Sequence, residues 1–386
     1  MEKIKEILSK LTLKHYIGIA VVGIGVYFLT GILFSSSSKG IELIPRNTVA
    51  VGVVSVGDMI DKADIQDLLK LDLDIIEDLL DNYEDLKEDA EDQSDLAASI
   101  LEDPENIGID INQDVFVYGV IHDIKEEAYI CVSGGVDDED RLLEILEEIE
   151  DNMPNDDYED SYSSNESHFD ISEEDGYNIL LMYNKNSYKN SRYDDVETYY
   201  GDITAFAWDN DKFLFITNPE AWEKKGINKL EDEVERLFNL KSKEKLTSIN
   251  SFGDFYDNKT DLCAWASAEG MDEDLLDDII DEIDDEIGFD LEVEDLQECS
   301  ASLYYNFGDG NVSVKAALYA SDGVQELIEE KTNISTSEFS YELTMKFDDS
   351  GDNTIHVILR SLLTIIDEAG GVGNMERMMY NLDRMF

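Results

Sequence analysis

The chain has 386 residues, and against 29 lysines and arginines it sets 91 aspartates and glutamates, a formal net charge of −62. A surface this acidic repels a phosphate backbone, which excludes nucleic acid as a partner. The hydrophobic fraction is 42%, with 19 Tyr and 15 Phe, enough apolar material for packed cores, so a wholly disordered chain is excluded as well.

The first feature in chain order is apolar. Residues 15–34 read HYIGIAVVGIGVYFLTGILF and carry no formal charge from Tyr16 to Phe34. A helix of that length spans roughly 28 Å, close to the thickness of a bilayer's hydrocarbon core. Tyr16, Ile17, Val21, Val22, Tyr27, Phe28 and Phe34 are the expected membrane-anchor residues. Lys3, Lys5, Lys10 and Lys14 precede them, so the positive-inside rule keeps the N-terminus cytoplasmic and exports the body, into the periplasm of a Gram-negative cell. The apolar part of a cleaved signal peptide runs about 7–15 residues. The longer run here points to an uncleaved signal anchor and a single-pass protein, with Ser35–Ser38 as an alternative cleavage site.

After the linker Ser35–Gly40, Val49–Val56 reads as a strand and MIDKADIQDLLK as a helix capped by Asp58. Ile75, Leu79, Tyr83, Leu86 and Ala90 continue helical spacing through 74–101 until Pro104. Val115–Ile121 and Ala128–Val132 form an expected hairpin around HDIKEE, followed by helix 138–150 with Leu142, Leu143, Leu146 and Ile149 on one face. Residues 150–176 are acidic and rich in Ser and Asn, and read as a mobile loop. Strands follow at Tyr177–Tyr183, Ile203–Trp208 and Lys212–Thr217. Asn218-Pro219 then starts a helix that runs to about Leu240.

A second set opens with strand Leu262–Ala268 and an acidic helix over 272–287. Strands 300–307 and 312–320 flank the turn Gly308-Asp309-Gly310-Asn311, and helix 323–331 follows. The tail reads as a strand around Tyr341–Phe347, a helix over 355–368 and a Met-rich amphipathic helix over 374–386. VAVGVVSVGDM pairs with LCAWASAEGM as a repeat, and the hairpin from Val115 pairs with the one from Ser302. The expected fold class is therefore α+β: an N-terminal transmembrane helix, then two related lobes, each an antiparallel sheet with helices. Its divisions are 1–40 for basic tip, anchor and linker, 41–150 for the first lobe, 151–176 for the acidic loop, 177–260 completing the first lobe, and 261–386 for the second.

IELIPRNTVAVGVVSVGDMIDKADIQDLL followed by DPENIGIDINQDVFVYGVI resembles the start of a Bacteroidota family of exported proteins, domain of unknown function 4836. Pro104, Gly108, Ile109 and Asp110 match that family's loop before a strand, and LCAWASAEGM and YYNFGDGNVSVKAALYAS resemble its later elements. The resemblance covers roughly 40–335. It implies export and an α+β body, and it carries over no catalytic residue. Members are commonly lipid-anchored, and no lipobox cysteine follows the apolar run here.

Catalytic signatures are missing. His15, His122, His168 and His356 pair with no nucleophile motif, and the hydrolase, zinc-protease and nucleotide-loop motifs are absent. No cofactor is implied. Cys131, Cys263 and Cys299 sit in apolar runs and read as buried small residues, with a Cys263–Cys299 disulfide as the alternative. No calcium-loop pattern fits, so the acidic runs read as solvated faces with nonspecific divalent-cation binding at most. In the tail, Met375, Met378, Met379 and Leu382 share a helix face that either closes the core or docks a partner. The functional expectation is a non-catalytic, membrane-anchored, extracytoplasmic protein that binds or scaffolds an envelope partner. The alternatives are an envelope hydrolase with a composite His/carboxylate site and a low-affinity cation buffer.

Overall fold

The computed structural model describes residues 39–71, 73, 76, 107–123, 127–152, 158–159, 163–174, 176–190, 195–218, 224–271, 276–277, 280–281, 292–332, 338–346 and 352–368. The anchor segment 15–34, most of the helix read over 74–101, most of the acidic helix 272–287 and the Met-rich helix 374–386 lie outside these residues.

The strands are β1 (Ala50–Val54), β2 (Ile109–Asp110), β3 (Val115–Asp123), β4 (Glu127–Val136), β5 (Tyr158–Glu159), β6 (Ser163–Glu174), β7 (Tyr177–Asn190), β8 (Asp195–Trp208), β9 (Lys212–Thr217), β10 (Leu262–Ser267), β11 (Ser300–Gly308), β12 (Asn311–Tyr319) and β13 (Glu338–Lys346). All join one 13-stranded antiparallel sheet in the order β13-β12-β11-β10-β1-β3-β4-β9-β8-β7-β6-β5, with β2 paired off this path to β4.

This corrects the expected fold class. The chain does not fold as two α+β lobes, because β1 and β10 pair antiparallel from Ala50↔Ala266 to Val54↔Leu262 and fuse both halves into one sheet. The two strands matched as a repeat thus lie side by side at the junction, with β3 beyond one and β11 beyond the other. Hydrophobic alternation defines each strand but not its neighbour, which is why the junction was invisible in the sequence. No helix among the described residues is long and apolar enough to cross a membrane. The stretch read as a mobile acidic loop also differs: Ser163–Glu174 is a strand that pairs with β7 along its whole length. Its period-two signal, Phe169 and Ile171 turned to the core between Ser and acidic residues, was masked by the polar composition.

The helices are short. They are α1 (Val56–Ala63), α2 (Ile65–Leu68), α3 (Glu139–Asn152), α4 (Lys224–Phe238), α5 (Asn250–Asp257), α6 (Val293–Gln297), α7 (Asp322–Thr332) and α8 (Thr354–Glu368), with 3-10 turns η1 (Lys39–Leu43), η2 (Leu246–Ser248) and η3 (Ala268–Gly270). One face of the sheet carries the main core. Val51, Val53, Phe116, Tyr118, Val120, Cys131, Ile216, Cys263 and Trp265 are buried there beneath Leu43 and Ile44 of the η1 segment, Ile227, Leu230, Val234 and Leu237 of α4, and Phe252 and Phe255 of α5. Trp265 meets Phe252 edge-on at 5.3 Å between ring centroids, a preferred aromatic geometry.

The η1 turn lies tight on β4. Ser133 Oγ donates to Gly40 O at 2.9 Å, and a Cβ on Gly40 would stand 2.6 Å from Gly134 N and 2.7 Å from Gly134 Cα. Both neighbours are backbone and cannot rotate away. Gly40→Ala is therefore expected to cost about 1–3 kcal/mol, whereas Gly253→Ala in α5, where a Cβ meets nothing within 4 Å, is expected to gain about 0.5–1 kcal/mol from helix propensity. Urea melts of the two variants check the opposite signs.

Candidate functional site

The opposite face of the sheet is built from one register row that crosses eleven strands. Ile171, Leu180, Phe206, Phe215 and Val132 stand opposite one another from β6 to β4, and the row continues through Val117, Gly52, Ala264, Leu303, Ala316 and Tyr341 to β13. Cross-strand partners share a face, so this is a continuous apolar stripe.

Its two halves are treated differently. On the β6–β4 half, α3 lays Leu142, Leu143 and Leu146 over a cluster of Val136, Leu180, Met182, Trp208 and Phe213. Helix periodicity explains the fit, since positions three and four apart fall on one side. On the β3–β13 half, among the described residues nothing plays that part. Ile130 is 51% exposed, Leu318 40% and Tyr341 69%. The floor between them is made of Ala50, Gly52, Ala264, Ala266, Ala301 and Ala316, and the result is an open apolar trough of about 840 Å³. Contiguous exposed apolar surface of this kind marks an interaction site more often than scattered single residues do. The sequence signal was present in VAVGVV, CAWAS and KAALY, where small residues alternate with bulky ones. Reading it as a site required knowing which side of each strand the helices cover.

The ionisable groups form anchors. His122 Nε2 lies 2.9 Å from Glu233 Oε2, the His–carboxylate contact a composite hydrolase site would need. Glu233 is buried, and Arg236 holds both its oxygens, through Nε at 2.8 Å and Nη2 at 2.6 Å. That pairing raises the Arg236 pKa, and the His122 contact with Glu233 ties β3 to α4. The neighbouring Cys131 thiol is pushed well up, first by burial and then by the Glu233 charge, which removes it as a nucleophile. His168 stacks on Tyr183 with ring centroids 4.5 Å apart. His356 Nδ1 sits 2.8 Å from Ala63 O and joins α8 to α1.

Two buried aspartates pin the strand ends. Asp114 accepts from Ser55 Oγ at 3.0 Å and Tyr256 OH at 2.6 Å, and it pairs with the Lys259 ammonium. Burial and the hydrogen bond to Asp114 push the Tyr256 phenol up. Asp261 accepts from Lys62 Nζ at 2.6 Å and from Phe307 N at 2.6 Å. A smaller concavity gathers Arg46, Arg236 and Lys243, but Arg46 is held by Glu269 at 2.6 Å and Arg236 by Glu233. Among the described residues no group of three His, Cys, Asp or Glu is placed to hold a metal ion.

The docking residues expected from the sequence, Met375, Met378, Met379 and Leu382, and the anchor residues Tyr16, Ile17, Val21, Val22, Tyr27, Phe28 and Phe34 all lie outside the described residues. The trough was not among the expected sites. The three cysteines are free, with Cys131 and Cys263 buried and Cys299 half-buried, which corrects the alternative disulfide.

Asp114→Ala leaves Lys259 without this partner and is expected to cost about 2–3 kcal/mol, below the full penalty of a broken buried pair because the lysine reaches solvent. Chemical melts measure it. In the native chain a maleimide is expected to label Cys299 well before Cys131 and Cys263, whose thiols burial holds in the protonated form. Peptide mass mapping over a labelling time course reads the order.

Neither a curated protein nor a solved structure matches the chain. The family model described as Domain of unknown function (DUF4836) matches residues 41–190, from the η1 turn through β7.

Proposed function

We propose that the chain is a non-catalytic binding protein of the cell envelope that holds an amphipathic segment of a partner protein against the uncovered half of its sheet. The observation that carries this reading is the apolar stripe itself. One half is capped by the leucines of α3, and the other half presents the same kind of surface to solvent. A helix or strand with an apolar edge has the right chemistry for it, because the Ala and Gly floor admits a backbone closely while Val117, Ile130, Leu318 and Tyr341 supply contact area. The lysine-flanked apolar run 16–34 and the strongly acidic body support an extracytoplasmic location, with the acidic surface also gathering divalent cations without a defined site.

A photo-activated side chain placed at Leu318 or Ile130 in living cells is expected to cross-link one and the same partner. Placed at Ile149, exposed on α3, it is expected to leave that partner unlabelled. Leu318→Asp combined with Tyr341→Asp should remove the adduct at Ile130 while moving stability by no more than about 0.5 kcal/mol per exposed position. Equal labelling from all three positions would refute the reading.

A further inference from the structure

We propose that the partner's segment binds as an extended strand added to the free edge of β13, with apolar residues on the trough side alternating with polar and basic residues on the other. This names the form and the chemistry of the partner, and it rests on the reading of the open face as a docking surface.

β13 is the last strand of the sheet at the trough end. It pairs with β12 over all nine of its residues, from Glu338↔Tyr319 to Lys346↔Asn311, with no shift of register, and Ser340 to Lys346 are all exposed. Among the described residues nothing pairs with its outer edge, where every second residue turns its N–H and C=O away from β12. Proteins guard such edges by shortness, by Pro, by a bulge or by a charge on the apolar side. The opposite end of the sheet is guarded: β5 has two residues, and β6 beyond it carries Glu166, Asp170, Glu173 and Glu174. β13 is nine residues long, holds no Pro and no bulge, and on the trough side presents Tyr341, Leu343 and Met345, 69%, 45% and 42% exposed.

The other half of the sheet supplies the precedent. About the β1–β10 seam, the β3–β4 hairpin on one side corresponds to the β11–β12 hairpin on the other. β9 lies outside β4, and β13 lies outside β12. The outer edge of β9 is paired by β8, from Trp208↔Phe213 to Thr204↔Thr217, and Phe206 carries the apolar row on past Phe215. On the β13 side the row ends at Tyr341. A strand added there, with apolar residues beside Tyr341 and Leu343, extends the row and covers side chains that solvent now reaches, while its backbone pairs with the open edge.

Charge chooses between the occupants. Glu342 stands on the side away from the trough, opposite Lys315 of β12, and favours a basic or hydroxyl residue at the facing position of an added strand, because like charges directly opposite destabilise. The net charge of −62 draws a basic segment in and opposes an acidic one. A second copy of the chain brings the same acidic body with it, and pairing β13 with itself about its centre sets Glu342 against Glu342. The occupant is therefore a segment of a different protein, with lysine or arginine among its outward residues.

The probe is a capped nine-residue peptide in which Val alternates with Lys and Thr, titrated against the full chain by fluorescence anisotropy at moderate and at high NaCl. In a strand the amides of alternate residues point to one edge. N-methylating the Val amides therefore blocks one edge of the peptide, and N-methylating the Lys and Thr amides blocks the other, with net charge unchanged. The expected result is saturable binding that one methylated form retains and the other loses by at least about tenfold. Leu343→Lys should bring the unmethylated peptide down to the level of the blocked form, while Ser172→Lys on β6 leaves its affinity unchanged. Tyr341→Lys serves as a second edge variant should Leu343→Lys perturb the melt. Equal affinity of the two methylated forms, indifference to the edge variants, loss of binding in Ser172→Lys, or no saturable binding would each overturn the proposal. The photo-cross-linking at Leu318 is read separately. Its success beside equal methylated forms would leave the trough to a helix, and its failure beside unequal forms would remove the trough and leave the edge.

Discussion

The architecture depends on the pairing of β1 with β10. Five residues of each strand, from Ala50↔Ala266 to Val54↔Leu262, join segments more than two hundred residues apart. Every strand outward on both sides inherits its register from that seam. Backbone amides in a buried strand must find partners, and leaving one unsatisfied costs more than a made bond gains. Each of these two strands is flanked on both sides, β1 by β10 and β3, and β10 by β1 and β11. The seam closes what would otherwise be two open edges, and an exposed apolar edge is a template for aggregation. Asp114 and Asp261 reinforce the seam, since each sits just before one of the neighbouring strands β3 and β10 and ties it to a lysine and a backbone or hydroxyl donor.

A sheet of this width has two faces to bury, and among the described residues the helices that bury them run to fifteen residues at most. On the first face the solution is complete: η1, α4, η2 and α5 cover the centre with aliphatic and aromatic side chains. On the second face α3 covers one half and the described helices leave the other half open. The open half is distinctive in its side chains. Bulky residues on its floor would fill it with the protein's own surface. Alanines and glycines keep it low, so that another element can approach the backbone closely.

Charge acts on all of this as a background. The excess of acidic residues keeps bodies apart and raises the cost of any like-charged approach. Against that background the few cations are spent on named partners: Lys62 on Asp261, Lys259 on Asp114, Arg236 on Glu233, Lys245 on Glu42. The Lys245 contact holds the Glu42 carboxyl below its usual range. The floor and walls of the open face, by contrast, are apolar.

The sequence alone determined the local elements wherever the hydrophobic period was strong. The strand at Val49–Val56, the hairpin around HDIKEE, the helix over 138–150 with its leucine face and the strand pair around Gly308–Asn311 all follow from spacing and turn chemistry, and the stretch from Ile41 carried the resemblance that the family-model match over residues 41–190 bears out. The polar strand Ser163–Glu174 escaped because its core-facing positions are diluted by Ser, Asn and acidic residues, and only pairing with β7 turns that alternation into structure. Tertiary structure alone decided that β1 and β10 are neighbours, since strand propensity is a property of a segment and pairing is a property of two. It likewise decided where the candidate site lies. Ala264 or Gly52 is an unremarkable small residue in the chain, and becomes the floor of a trough only because the register sets it beside Val117 and Leu303 while the helices pack on the other side.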